Sequence, residues 1–251
     1  YHPAVVAQAA ATIDRLSGGR FRLGVGTGEN LNEGPLGYPF PKYAERAGRM
    51  REALEIMRRL LDGEKLTFDG DWYRTDRAKL YSPPVSNVPI WMAAGGPKSA
   101  ALAATMADGI ITSVRDPQTT KERVIDPAIE AATSAGRTIP TIAASRWTIR
   151  ADSAGDAWTA LGAWRGLRAP GRLEAVDPAD LRKRADDLDR DEVLAAYSLV
   201  SEPTDYVAVY RPLVTDIGAD IVTIQTTSLD QEATIAMLGA SVLPELRALA
   251  S

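Results

Sequence analysis

The 251-residue chain has no cysteine and one histidine, His2. Without cysteine there is no disulfide framework, no thiolate nucleophile and no zinc–thiolate site. A single histidine removes the histidine-rich metal sites too, so no metal is expected. No apolar run approaches the roughly 20 residues of a membrane span. A formal charge of −4 leaves no basic footprint for nucleic acid. Neither membrane nor nucleic acid is therefore expected as a partner. The opening YHPAVVAQAA shows no basic leader and no cleavage signal, which points to a cytoplasmic protein. What is present is ordinary: 45% apolar and 25% charged residues, in a chain long enough for one large α/β domain or two small ones.

The segment AVVAQAAATIDRL after His2-Pro3 reads as a helix, with Pro3 in its first turn, apolar residues at helical spacing and Gly18-Gly19 as the stop. FRLGVGT then reads as a short strand running into glycines. From about Tyr43 to Asp62, Met50, Leu54, Met57 and Leu61 form one stripe of an amphipathic helix. Residues 65–74, KLTFDGDWYR, alternate around Asp69-Gly70 and signal a hairpin. Further strands are expected over 88–95, 108–114, 140–150 and 220–227. Helical stretches are expected from Pro97, then over about 119–135, 153–167, 178–200, 203–217 and 230–249. Nearly continuous apolar strands alternating with helices indicate a parallel α/β sheet. Five strands are too few to close an eight-stranded barrel and enough for an open doubly wound sheet, and periodicity alone does not choose.

Two glycine-rich strand ends carry the chemistry. In Gly24-Val25-Gly26-Thr27-Gly28-Glu29-Asn30-Leu31-Asn32-Glu33, alternate glycines admit a ligand close to the backbone, and the polar side chains follow where parallel α/β folds place ligands. The alternative is a glycine turn with a solvated loop. It is not a dinucleotide fingerprint, because the third glycine comes one residue early and no clear helix follows. In Ala93-Ala94-Gly95-Gly96-Pro97-Lys98-Ser99, free amides at Gly95 and Gly96 beside a helix start would form an anion or carbonyl site. The alternative is an ordinary turn. Glu29 is the one acidic residue inside the central part of either cluster. In an apolar pocket it would hand over a proton near neutral pH, and otherwise it is a surface carboxylate paired to an arginine. Trp91, Trp147, Trp158 and Trp164 are candidates to wall a flat ring, or else plain core.

HPAVVAQAAATIDRLSGGRFRLGVGTGENLNE closely resembles the luciferase-like flavin and deazaflavin oxidoreductases, in the branch of the F420-dependent glucose-6-phosphate dehydrogenases. ERAGRMREALEIMRRLLDGE, FDGDWYR, VPIWMAAGGPKSA, ADGI and TTSLDQE follow in the family's order. The resemblance implies a single α/β domain over 1–251 of TIM-type (β/α)8 barrel class, represented by its last five βα units. Family members begin with three further strands, which carry an Asp-His pair. A hairpin insertion falls at about 65–74 and a helical insertion at about 153–200. It implies coenzyme F420 as cofactor, with FMN the alternative within the superfamily. Thr27, Gly28, Asn32, Ala94, Gly95, Gly96, Thr112 and Ser113 would line that cofactor, and Glu29 would exchange a proton with it while hydride moves. A small organic substrate and a homodimer are further implications. Positions holding phosphate in the sugar-phosphate oxidisers fall on Asp116 (next to Arg115), Arg172 and Ala196, which argues against glucose 6-phosphate. A cofactor-binding protein without turnover is the remaining reading.

Overall fold

A computed structural model describes residues 1–249. In chain order the elements are α1 (Pro3–Ser17), β1 (Leu23–Val25), α2 (Asn30–Glu33), α3 (Tyr43–Leu61), β2 (Leu66–Asp69), β3 (Arg74–Ala78), β4 (Ile90–Ala93) and α4 (Pro97–Met106). Then come β5 (Gly109–Ser113), α5 (Pro117–Thr120), α6 (Asp126–Ser134), β6 (Thr141–Arg150), α7 (Ala154–Leu161), α8 (Pro178–Asp186) and α9 (Arg190–Leu194). Last are β7 (Ser198–Val200), α10 (Pro203–Thr215), β8 (Ile221–Ser228), α11 (Gln231–Met237) and α12 (Leu243–Ala248). No described helix is long and apolar enough to cross a membrane. The chain divides into two compact units, one of residues 1–27, 41–112 and 119–143, the other of 28–40, 113–118 and 144 onward.

In the first unit β1, β4 and β5 run parallel, with Gly24 opposite Trp91 and Met92 opposite Ile110. Parallel strands deliver their C-terminal ends to one edge, so the loops after Val25 and Ala93 leave side by side. Ile90, Met92 and Ile110 of the strands and Leu54, Ile56 and Leu60 of α3 are all fully buried. Small residues let the helices close in: Ala7, Ala10 and Ala11 of α1, and Ala100, Ala103 and Ala104 of α4, are buried. Polar clamps set the register. Asp108 accepts from the Ile90 amide at 2.8 Å and pairs with Arg58 of α3. Buried Asp14 of α1 accepts from the amides of Val85 and Ser86 and from the Ser86 hydroxyl, at 2.8–2.9 Å. Burial pulls the Asp14 pKa upward, but these hydrogen bonds outweigh it and hold the carboxyl below its usual value. The hairpin falls as expected, as β2 and β3.

In the second unit β7 pairs parallel with β6, Thr148 opposite Ser198, and β8 also pairs with β6. Ile149, Ala157, Leu161, Val193, Leu194 and Tyr197 form one core cluster. Fully buried Tyr206 and Tyr210 stack with ring centres 6.4 Å apart. The Tyr210 hydroxyl donates to the Arg146 carbonyl at 2.5 Å.

Three sequence expectations need correction. Residues 178–200 are not one helix but α8, α9 and the strand β7, because Asp189 caps a new start through the amides of Asp191 and Glu192 and Ser198–Val200 joins the β6 ladder. A sixth parallel strand therefore exists. The helices over 119–135 and 230–249 each contain a π-type turn, at Lys121–Ile125 and Leu238–Val242. Each turn lies just before a proline, Pro127 or Pro244, whose nitrogen cannot donate four residues back. A short helix, α2, does follow the first glycine cluster.

Candidate functional site

Both glycine-rich strand ends reach one cavity of about 440 Å³ in the first unit. Thr27 lines it from the first motif, and Ala93, Gly95, Gly96, Pro97 and Ser99 line it from the second, with Tyr43 and Lys98 completing the wall. A Cβ built on Gly95 would meet nothing within 4 Å, so the backbone there faces open space that a ligand can fill. The amides of Gly95 and Gly96 are not free, contrary to the sequence expectation. Both donate to Ser99 Oγ at 3.2 Å, and that hydroxyl donates to the Gly96 carbonyl at 2.9 Å. Ser99 thus caps α4 and fixes the loop. Ala94 is buried and does not line the cavity, its amide donating to the Ile111 carbonyl at 2.9 Å. Thr112 is also buried.

Sequence reasoning missed the residue that holds Thr27. Arg46 of α3 donates through Nη1 to the Thr27 carbonyl at 3.3 Å and to Thr27 Oγ1 at 3.4 Å, and through Nε to the Pro41 carbonyl at 3.1 Å. Its guanidinium also lies 5.8 Å from the Tyr43 ring centre. Arg46 sits one helical turn after Tyr43, a spacing that puts both on one face. That spacing was the available signal, but nothing in it named Thr27. Arg123 is a second missed cation, with Nη2 3.9 Å from where a Gly96 Cβ would lie.

The rest of the first motif belongs to the second unit. Gly28 has φ +86°, the left-handed region, and a Cβ there would fall 1.8 Å from Glu33 Oε1. Glu29 begins α2, and its carboxylate Oε1 accepts from Arg172 Nη2 at 2.7 Å. Its side chain is 51% exposed, so the arginine-paired surface carboxylate is the reading the geometry matches, rather than an apolar pocket. Asn30 Nδ2 donates to the Glu174 carbonyl at 2.8 Å, and Leu31 packs on the cluster of Ala169, Ala175, Leu181 and Ala185. Asn32 is exposed. Ser113 lines a different cavity, of about 150 Å³, within this unit.

Three tryptophans lie outside the walls of either cavity. The ring of Trp91 lies 2.7 Å from where a Gly109 Cβ would fall, Trp158 sits between Arg165 and Arg190, and Trp164 is 53% exposed. Trp147 lines the smaller of these two cavities. His2 is structural: its ring accepts from the Ala4 amide at 3.2 Å as the α1 cap.

The luciferase-like monooxygenase profile matches residues 1–220. An F420-dependent glucose-6-phosphate dehydrogenase of Nocardia farcinica is 36% identical over 258 residues, spanning 100% of this chain and 76% of the relative. The enzyme of the same name from Nakamurella multipartita is 34% identical over 258 residues, spanning 99% of this chain and 75% of the relative. Among solved structures, an F420-dependent secondary alcohol dehydrogenase with a bound F420–acetone adduct superposes with a TM-score of 0.88 at 28% identity, covering 98% of this chain and 76% of that one. The fold is therefore that of the luciferase-like TIM-barrel class. Parallel βα architecture, twin glycine corners and these likenesses agree: the chain belongs to the luciferase-like monooxygenase family, in its F420-dependent glucose-6-phosphate dehydrogenase branch.

Proposed function

We propose that this chain is a coenzyme F420-dependent oxidoreductase acting on a small organic substrate. The observation that carries the reading is the convergence of Thr27, Gly95 and Gly96 on one cavity of about 440 Å³. That cavity fits the group. It is slot-lined by Ala93 and Pro97, lacks a Cβ at residue 95, and has Lys98 on its wall to meet an acidic tail. When bound, the deazaflavin supplies hydride acceptance or donation at its C5 carbon. In this reading Thr27, Gly95 and Gly96 hold the ring, with Ala94 and Thr112 buried in the same unit; the roles of Gly28, Asn32 and Ser113 toward it rest on the family resemblance alone. Arg46 keeps Thr27 in place, and Ser99 keeps the second corner rigid. The family resemblance alone assigns Glu29 the proton that accompanies hydride movement, and in this structure its carboxylate is paired with Arg172.

The substrate in this reading is not glucose 6-phosphate. Of the three positions aligned with the phosphate-holding residues, two are Asp116 and Ala196, and the third, Arg172, is engaged by Glu29. The protein works in the cytoplasm as a homodimer, on analogy with its family. Titration of the purified protein with F420 tests the assignment. Saturable binding is expected, and no binding below about 100 μM overturns it. Co-purification of FMN with oxygen-dependent turnover would replace F420 by the alternative cofactor.

A further inference from the structure

Tyr43 opens α3 and lines the larger cavity together with Thr27, Gly95 and Gly96, all within the first unit. Its hydroxyl oxygen is sealed from water and has no hydrogen-bond partner among the described residues. A buried donor without a partner has lost the bonds it made to water in the unfolded chain, and native proteins keep few such groups. Tyr43 as a whole is half-buried, so this shut-in oxygen belongs to a residue of the cavity wall and not to one of the core.

The polar groups beside it are already engaged. The Gly95 and Gly96 amides donate to Ser99 Oγ at 3.2 Å, and the Ser99 hydroxyl donates to the Gly96 carbonyl at 2.9 Å. The Thr27 carbonyl and Oγ1 accept from Arg46 Nη1 at 3.3 and 3.4 Å. The same guanidinium lies 5.8 Å from the Tyr43 ring centre, a contact that engages the ring and leaves the hydroxyl's hydrogen-bonding capacity unused. Because no hydrogen bond retains the oxygen, the phenol is free to turn about χ1 toward an acceptor that enters the cavity.

We propose that Tyr43 is a cofactor-binding residue, its hydroxyl donating to an acceptor oxygen of the redox cofactor that fills this cavity. A hydrogen bond to a ligand ordinarily gains little, because the donor surrenders a bond to water to make it. Here the donor has none to surrender, which puts the gain at the upper end of the usual range. Ring carbonyls and phosphate oxygens share the acceptor chemistry required. Tyr43 lies outside both glycine motifs, so only the fold brings it to this wall. That the ligand is a cofactor rests on the function proposed above.

The test compares the full chain with Tyr43→Phe and, as a reference, with Tyr81→Phe, whose ring is 83% exposed and outside this cavity. F420 and FMN are titrated separately by fluorescence, and melting of the unliganded proteins is recorded. Tyr43→Phe removes one oxygen and keeps the ring. It is expected to bind the cofactor about tenfold more weakly than the parent, and to melt at the same temperature or slightly higher. Tyr81→Phe should match the parent in both. Equal affinity in parent and Tyr43→Phe overturns the proposal, and so does an equal weakening in Tyr81→Phe. A midpoint lowered by more than about 3 °C in Tyr43→Phe also overturns it, because the hydroxyl then serves the fold. Titration with the deazaflavin that lacks the phosphate tail locates the acceptor. A difference that persists places it on the ring or its ribityl chain, and one that vanishes places it on the phosphate. The two readings fail separately: cofactor binding equal in parent and variant removes the Tyr43 role alone, whereas no binding of either cofactor to the parent below about 100 μM removes both.

Discussion

Glu29 Oε1 lies 2.7 Å from Arg172 Nη2, a contact that joins positions 143 residues apart and holds α2 to the segment preceding α8. Both side chains are partly open to water, at 51% and 37% exposure. A pair in that setting contributes at most about 1 kcal/mol to stability, so its value lies in orientation. Arg172→Ala should accordingly leave the thermal midpoint within about 3 °C of the parent. Glu29→Gln should do the same while lowering kcat about a hundredfold, with F420 affinity unchanged. Equal kcat in parent and Glu29→Gln would remove the proton-carrying role.

Two glycines of the candidate site should respond oppositely to alanine. At Gly28 the positive φ makes the methyl group costly, by about 1–2 kcal/mol, although the Glu33 carboxylate can swing aside, and the midpoint should fall by a few degrees. At Gly95 the methyl group enters open space, so the midpoint should hold while F420 binding weakens several-fold. Calorimetric melting beside an F420 titration of both variants checks this contrast.

Arg46 supports the cavity from behind. Arg46→Ala removes the two hydrogen bonds that fix Thr27 and should raise the F420 dissociation constant about tenfold. Arg46→Lys, a point charge without the planar fork, should recover only part of that loss. Fluorescence titration of the two variants is the measurement.

Asp14 makes acid stability legible. Its folded carboxyl titrates below the unfolded value near 3.9, so its contribution is complete above about pH 4 and disappears as pH falls through the folded pKa. Urea midpoints between pH 7 and pH 3 should therefore drop more steeply for the parent than for Asp14→Asn, which is less stable at neutral pH because it replaces a charged acceptor of three hydrogen bonds.

Tyr210 sets the alkaline limit. Burial pushes its phenol up to about 12, so its contribution is complete below the unfolded value near 10 and is lost as pH rises toward about 12. Tyr210→Phe should cost about 1–2 kcal/mol at neutral pH, because the Arg146 carbonyl loses its donor, and should flatten the decline above pH 10. Denaturant melts of the two proteins from pH 7 to pH 11.5 decide it.

Much of this protein is local and could be read in advance. Alternating apolar runs and amphipathic stripes depend on neighbours along the chain, so β1, β4, β5, β6, β8, α1, α3 and the Asp69-Gly70 hairpin fall where periodicity and turn residues indicate. The glycine corners were legible for the same reason: strands in a parallel sheet end on one edge, and their loops there lack side chains. Ser198–Val200 escaped because a three-residue strand has too few positions to show alternation, and only the β6 edge beside it selects the extended form.

Charge partnership escaped altogether. Motif spacing presented Glu29 as a candidate proton carrier, but its environment depends on Arg172, which the chain supplies far downstream. Arg46 behind Thr27 arises in the same way. The amino-acid order by itself determined the βα alternation, the two glycine-lined corners and the family. Tertiary structure alone decided which cations meet which acceptors, because electrostatic energy follows distance in space, and folding sets that distance independently of separation along the chain.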